Sequence, residues 1–250
     1  MNQIAPKVSE TDPVERETLY NLMNAPIRPY PYPHFYAQNV LPPGFYDEVQ
    51  ANIPRHEAMA PISEVRPVRG YKDRFVMQLG GPLEQLQGPQ RTFWEGVGAW
   101  MLSGRLREHL LAKFRPLVAH RFSGVEGIAF YDEAMLVEDL TNYALGPHTD
   151  AMSKVITLLL YLPQDDSQAR YGTSIYAPKD PARRCPGGPH YDRSEFDRVT
   201  TMPFTPNSAF GFVKSDDTWH GVEPVTEPDV RRWLLLYDIK VRRMPPAETA

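Results

Sequence analysis

A chain of 250 residues, 42% hydrophobic and 23% charged, has the make-up of an ordinary globular protein and is long enough for one large domain. Its formal net charge of −4 argues against a general nucleic-acid binder, which carries a basic patch or stripe; the pairs Arg183-Arg184, Arg231-Arg232 and Arg242-Arg243 are too brief to form one. The single cysteine, Cys185, excludes an intrachain disulfide and a thiol-rich zinc site.

Residues 1–17 are polar and lack the apolar centre of a signal peptide, and the longest apolar run, 155–162, is far too short to span a bilayer. The expectation is therefore a cytoplasmic protein without membrane contact. Residues 1–30 read as an N-terminal arm or short capping helix, followed by a single domain over 31–250. The prolines Pro29, Pro31 and Pro33 force an extended path, because each biases its predecessor away from helix. Phe45, Val49 and Ile53 have helical spacing that stops at Pro54. The best helical region is 93–114, where Trp94, Val97, Trp100 and Met101 lead to Leu106, Leu110 and Leu111, with Gly104 breaking it in two.

Near residue 120 the apolar period changes. Short β-rich runs follow at 134–137, 155–162, 173–177, 209–213 and 231–241, separated by Gly, Pro and Asp. Helices first and strands afterwards predict a mainly β protein with flanking helices (α+β). Its helical support would span 31–120, and a jelly-roll core (a cupin-like double-stranded β-helix) would span 121–243. The polar stretch 178–200, with its Cys-Pro-Gly-Gly-Pro, reads as a loop or insertion.

The chemistry is concentrated in a few residues. His148 and Asp150 lie two apart just before a strand, a spacing that puts both side chains on one face of an extended chain. With a second imidazole they would make the two-histidine, one-carboxylate face used by non-haem iron(II) oxygenases, which leaves three positions open. His220, in Thr218-Trp-His-Gly-Val-Glu-Pro-Val225, is the candidate. Eleven residues on, Arg231 opens an apolar β-run. A buried guanidinium there needs a partner, and a dicarboxylate would supply one through a two-pronged hydrogen bond.

The order His-x-Asp, His-Gly-Val-x-Pro-Val, then Arg in the last long strand resembles the prolyl-4-hydroxylase-like branch of the iron(II)/2-oxoglutarate dioxygenase superfamily. Asn142-Tyr-Ala-Leu-Gly-Pro-His-Thr-Asp150 is similar to that family's approach to its metal motif. Residues 154–162 resemble the strand after it, and Tyr171-Gly-Thr-Ser-Ile-Tyr176 stands where the family has a Gly-Gly strand. Pro33-His-Phe-Tyr and Leu41-Pro-Pro are similar to its opening strand and helix.

The resemblance implies iron(II) at His148, Asp150 and His220, with 2-oxoglutarate and O2 as co-substrates and release of succinate and CO2. It implies Arg231 as the anchor of the distal carboxylate, because Tyr237 lies six residues on and on the same face. Arg232 is the alternative, one register away. Tyr143 is implied as a 2-oxoglutarate contact. The expected activity is hydroxylation of an unactivated C–H bond in a small molecule or an amino-acid or peptidyl side chain. Desaturation or cyclisation by the same iron chemistry is an alternative, as is a jelly-roll metal- or ligand-binding protein without turnover. Asp150, where related halogenases have a small residue, argues against halogenation. His34, His56, His109, His120 and His190 read as packing or surface residues, Trp94 and Trp100 as core, and Cys185 as an incidental thiol. Oligomeric state is left open.

Overall fold

Helices form where apolar residues recur every third or fourth position. The computed structural model describes residues 12–66 and 71–244, so the part of the expected arm before residue 12 lies outside the described residues. Helix α1 (Pro13–Asn24) is capped by Asp12, whose carboxylate accepts from the Val14 amide at 2.8 Å, and it buries Leu19 and Leu22. Helix α2 (Pro43–Ala51) follows the Phe45/Val49 spacing, and α3 (Ile62–Val65) is a single turn. The 93–114 region divides as expected into α4 (Gly88–Met101) and α5 (Arg105–Lys113), with Gly104 between them at φ 89°, a conformation glycine adopts without steric cost. A short α6 (Arg115–Arg121) completes the helical layer.

Among the described residues, eleven strands make two sheets in which every neighbouring pair is antiparallel. They are β1 (His34–Gln38), β2 (Ala60–Pro61), β3 (Arg74–Gln78), β4 (Ile128–Leu140), β5 (Leu145–His148), β6 (Lys154–Tyr161), β7 (Thr173–Pro178), β8 (Phe196–Thr201), β9 (Ser208–Val213), β10 (His220–Val222) and β11 (Arg231–Arg243). The major sheet runs β1-β9-β6-β11-β4-β3-β2 and the minor sheet β5-β10-β7-β8. The fold is the expected jelly roll with helices on one side.

Two details differ from the sequence reading. Residues 31–120 are not helical support alone, because β1 adds to one edge of the major sheet and β3 and β2 to the other. Part of the 178–200 stretch is strand β8, an edge strand of Phe-Asp-Arg-Val-Thr-Thr whose central residues face solvent, so no apolar alternation betrays it.

Strand β11 pairs with β4 on one side and β6 on the other, and its two faces carry different loads. Trp233, Leu235, Tyr237 and Ile239 pack outward against helix residues such as Trp94, Val97, Leu106 and Leu110. Leu234 and Leu236 face the space between the sheets, with Val137, Met135 and Tyr161. Each such side chain taken fully from water contributes about 1.5–3 kcal/mol, so both faces are strongly fixed. Gly172, just before β7, is required for another reason. A Cβ there would lie 1.6 Å from the Met202 carbonyl oxygen, so only glycine lets the two backbones approach. Among the described residues no helix is long and apolar enough to cross a membrane.

Candidate metal centre

His148 ends β5 and pairs across the ladder with His220, the first residue of β10, so one antiparallel rung presents both imidazoles side by side. Their ring centroids are 4.3 Å apart. Asp150 leaves β5 two residues later, and one ligand atom from each of the three lies within 4.8 Å of the others. These three side chains would hold a metal ion.

The orientation of each ligand is set from behind. His148 Nδ1 lies 3.0 Å from the Gly146 carbonyl and His220 Nδ1 lies 2.9 Å from the Thr218 carbonyl. A carbonyl oxygen can only accept, so each Nδ1 carries the proton and each Nε2 lone pair is left for a metal. Burial, and then the neighbouring His220, hold His148 well below its usual pKa; burial also lowers His220, against the pull of Asp150. Burial would raise the Asp150 carboxyl, but Lys154, His220 and His148 together hold it well below the ordinary carboxylate range. The three groups are therefore two neutral imidazoles and a carboxylate, the protonation states that bind a metal. Thr157 donates to Asp150 Oδ2 at 2.7 Å, leaving Oδ1 4.0 Å from His220 Nε2. The Lys154 ammonium lies 3.0 Å from Asp150 Oδ1 and 3.0 Å from Asp238 Oδ1.

This centre opens into a cavity of about 870 Å³ between the two sheets, whose walls include Leu145, Leu159, Leu234, Leu236, Arg74 and Arg232. No family model matches the sequence, and no curated protein matches it. Among solved structures, the non-heme α-ketoglutarate-dependent epimerase SnoN from nogalamycin biosynthesis superposes with a TM-score of 0.50 at 13% identity, over 94% of this chain and 89% of that one. A Pseudomonas putida prolyl-4-hydroxylase gives 0.49 at 14% identity, over 91% and 98%. An oxidoreductase of the 2OG-Fe(II) oxygenase family from Burkholderia pseudomallei gives 0.46 at 12% identity, over 92% and 91%. The chain shares the jelly-roll fold of SnoN.

The arginine expectation is corrected by the structure. Arg231 points away from the cavity: its side chain is 53% exposed and pairs with Glu138 at 2.7 Å. Arg232 is 1% exposed, lines the cavity and pairs with Asp139 at 2.5 Å. The alternation of β11 is as the sequence gives it, but the faces are reversed. Tyr237, which favoured Arg231, belongs to the helix-covered face and to the outer core.

Asp139 is held twice. Arg74 Nε meets its Oδ1 at 2.6 Å and Arg74 Nη2 meets its Oδ2 at 2.9 Å, opposite Arg232. Two guanidiniums on one carboxylate leave a surplus positive charge in a buried place. Tyr143 lies in this cluster, with the Arg74 guanidinium 4.6 Å and the Arg232 guanidinium 5.9 Å from its ring. Burial raises the Tyr143 hydroxyl well above its usual pKa, so it stays a donor. The buried Tyr143 hydroxyl and Arg232 Nε have no hydrogen-bond partner among the described residues. Buried donors of this kind point to an acceptor that binds there.

Sequence reasoning missed Arg74, Asp139, Thr157, Lys154 and Asp238. Their signal was present as charged or hydroxyl residues inside strands otherwise apolar, which need a buried partner. His190 was read as a surface residue; it is exposed, but at the cavity mouth, with its ring 4.7 Å from that of His148 and its Nε2 3.2 Å from the Tyr71 hydroxyl. His34 is buried against the Tyr32 carbonyl, and His56 meets the buried Glu138 at 2.6 Å, as packing residues.

Proposed function

We propose that this protein is an iron(II)- and 2-oxoglutarate-dependent oxygenase that hydroxylates an unactivated C–H bond of a small molecule or an amino-acid side chain. The observation that carries the reading is the shared cavity. Two neutral imidazoles and a carboxylate lie together, and two arginines that share the single carboxylate of Asp139 line the same space with one positive charge to spare.

The donor set fits the metal: two nitrogens and one oxygen on one face, with hard and borderline character suited to iron(II). Bound there, iron(II) with 2-oxoglutarate and O2 would supply the oxidising power, converting the co-substrate to succinate and CO2. The protein's part is positional. The Gly146 and Thr218 carbonyls fix the imidazole tautomers, and Thr157 fixes the second oxygen of Asp150. Arg232, braced by Asp139, would take the distal carboxylate, and the protonated Tyr143 hydroxyl would donate to it. Leu159, Leu234 and Leu236 give the same cavity apolar walls. The lone cysteine, buried Cys185, suits a reducing cytoplasmic setting.

The test is turnover. Protein purified without oxygen is supplied with iron(II), 2-oxoglutarate and O2, and succinate is measured while candidate substrates are screened. Succinate that depends on iron and on His148 supports the reading. Binding of metal and 2-oxoglutarate without any succinate would favour a binding protein instead.

A further inference from the structure

Resting on that reading, we propose that the substrate is a monocarboxylic acid with an apolar body, its carboxylate received by Arg66 and Lys240 at the mouth of the cavity. The argument is the distribution of charge. Five cations line the cavity, namely Arg66, Arg74, Lys154, Arg232 and Lys240. Their carboxylate partners are Glu133, Asp139, Asp150 and Asp238.

The charges close locally in two of three places. Around the metal, Lys154 and iron(II) balance Asp150, Asp238 and the carboxylate of 2-oxoglutarate that would sit on the metal. At the inner end, Arg74 and Arg232 balance Asp139 and the distal carboxylate. At the mouth, Arg66 and Lys240 share one oxygen, Oε2 of Glu133, with Lys240 at 2.6 Å. Among the described residues, one positive charge there is unanswered. These side chains are mostly sheltered, Arg66 at 21% and Lys240 at 12% exposed, so solvent screens that charge poorly.

The guanidinium has five N–H donors and the ammonium three, more than one carboxylate oxygen can accept. A second carboxylate completes the set. Arg66 Nη1 is also 3.8 Å from Asp238, whose other oxygen holds Lys154 beside Asp150. An acid anchored at Arg66 is thus three ion pairs removed from Asp150, through Asp238 and Lys154. The same cavity is lined by Ile62, Leu145 and Leu236, apolar surface for a hydrocarbon chain or ring.

The experiment uses the full chain loaded with zinc(II), a diamagnetic stand-in that does not turn over, and saturated with 2-oxoglutarate. Hexanoate and 3-phenylpropanoate are titrated by NMR against hexanamide, 3-phenylpropanamide and hexylamine, while calorimetry follows 2-oxoglutarate separately. The acids should bind at least tenfold tighter than their amides, and hexylamine weakest. Arg66→Gln and Lys240→Met should erase the preference for acid over amide and leave 2-oxoglutarate affinity unchanged. Arg66→Lys should keep part of the preference, and Glu133→Gln should strengthen it. Amides binding as well as acids, failure of both acids to bind, acids displacing 2-oxoglutarate, or a preference that survives both variants would overturn the proposal. Failure of 2-oxoglutarate itself to bind would instead count against the oxygenase reading, and the acid-amide comparison would then be read on the zinc form alone.

Discussion

Arg231 and Arg232 are neighbours in sequence and lie on opposite faces of β11: Arg231 reaches Glu138 beside solvent, and Arg232 reaches Asp139 inside the cavity. The β4 partners alternate in step, Glu138 outward and Asp139 inward, so the two ion pairs fix the register of both strands. One of these arginines can serve a ligand in the cavity and the other cannot.

The metal centre gives the first expectation. His148→Ala or Asp150→Ala should abolish iron-dependent turnover and lower metal affinity by more than 100-fold, with little change in far-UV circular dichroism. Thr157→Val is subtler. It removes the hydrogen bond that orients Asp150, and the loss of such an outer partner typically costs 10–100-fold in metal affinity. Competition with a chelating dye measures both. Unchanged affinity in Asp150→Ala would remove it from the ligand set.

Stability of the metal-free protein should depend on pH with a defined sign. His148 and His220 have folded pKa values below the ordinary value of about 6.5, so the unfolded chain binds more protons between the two. Their neutral forms contribute full stability above pH of about 6.5, and that contribution is lost as pH falls below it. Tm should therefore fall from pH 7 to pH 5, and His148→Gln should flatten the slope. A Tm that rises over this interval would contradict the assignment.

Gly172→Ala should destabilise by about 1–3 kcal/mol or more, since the new methyl meets the Met202 carbonyl and backbone must move. Gly44→Ala, where nothing lies within 4 Å, is the control and should be near neutral. Urea midpoints for the two variants check the contrast.

Much of this was legible in the sequence. The convergence of His148, Asp150 and His220 could be read because ligand chemistry restricts residue types and their spacing, and the 93–114 helices because one face is apolar and the other polar. The direction of Arg231 could not. Strand β11 is covered on both faces, by helices on one side and by the opposite sheet on the other, so both rows of its alternation are apolar and neither marks the cavity. The deciding information lay in the partner strand, where Asp139 meets Arg74 from a third strand that is remote in sequence. Strand β8 was hidden for the opposite reason, having almost no buried face.

The most direct test of the account is the 2-oxoglutarate isotherm of zinc-loaded wild type, Arg232→Ala and Arg231→Ala. Removing Arg232 leaves Asp139 still held by Arg74, so the fold survives, while a buried carboxylate of the ligand loses its charge partner. Such a loss costs roughly 3–5 kcal/mol, or two to four decades in affinity. Arg231 lies outside the cavity, and the buried Glu138 that it meets is also held by His56, so its removal should leave the isotherm unchanged. Weak binding in Arg232→Ala with wild-type binding in Arg231→Ala is the predicted result. The reverse order, or equal affinity in all three proteins, would contradict it.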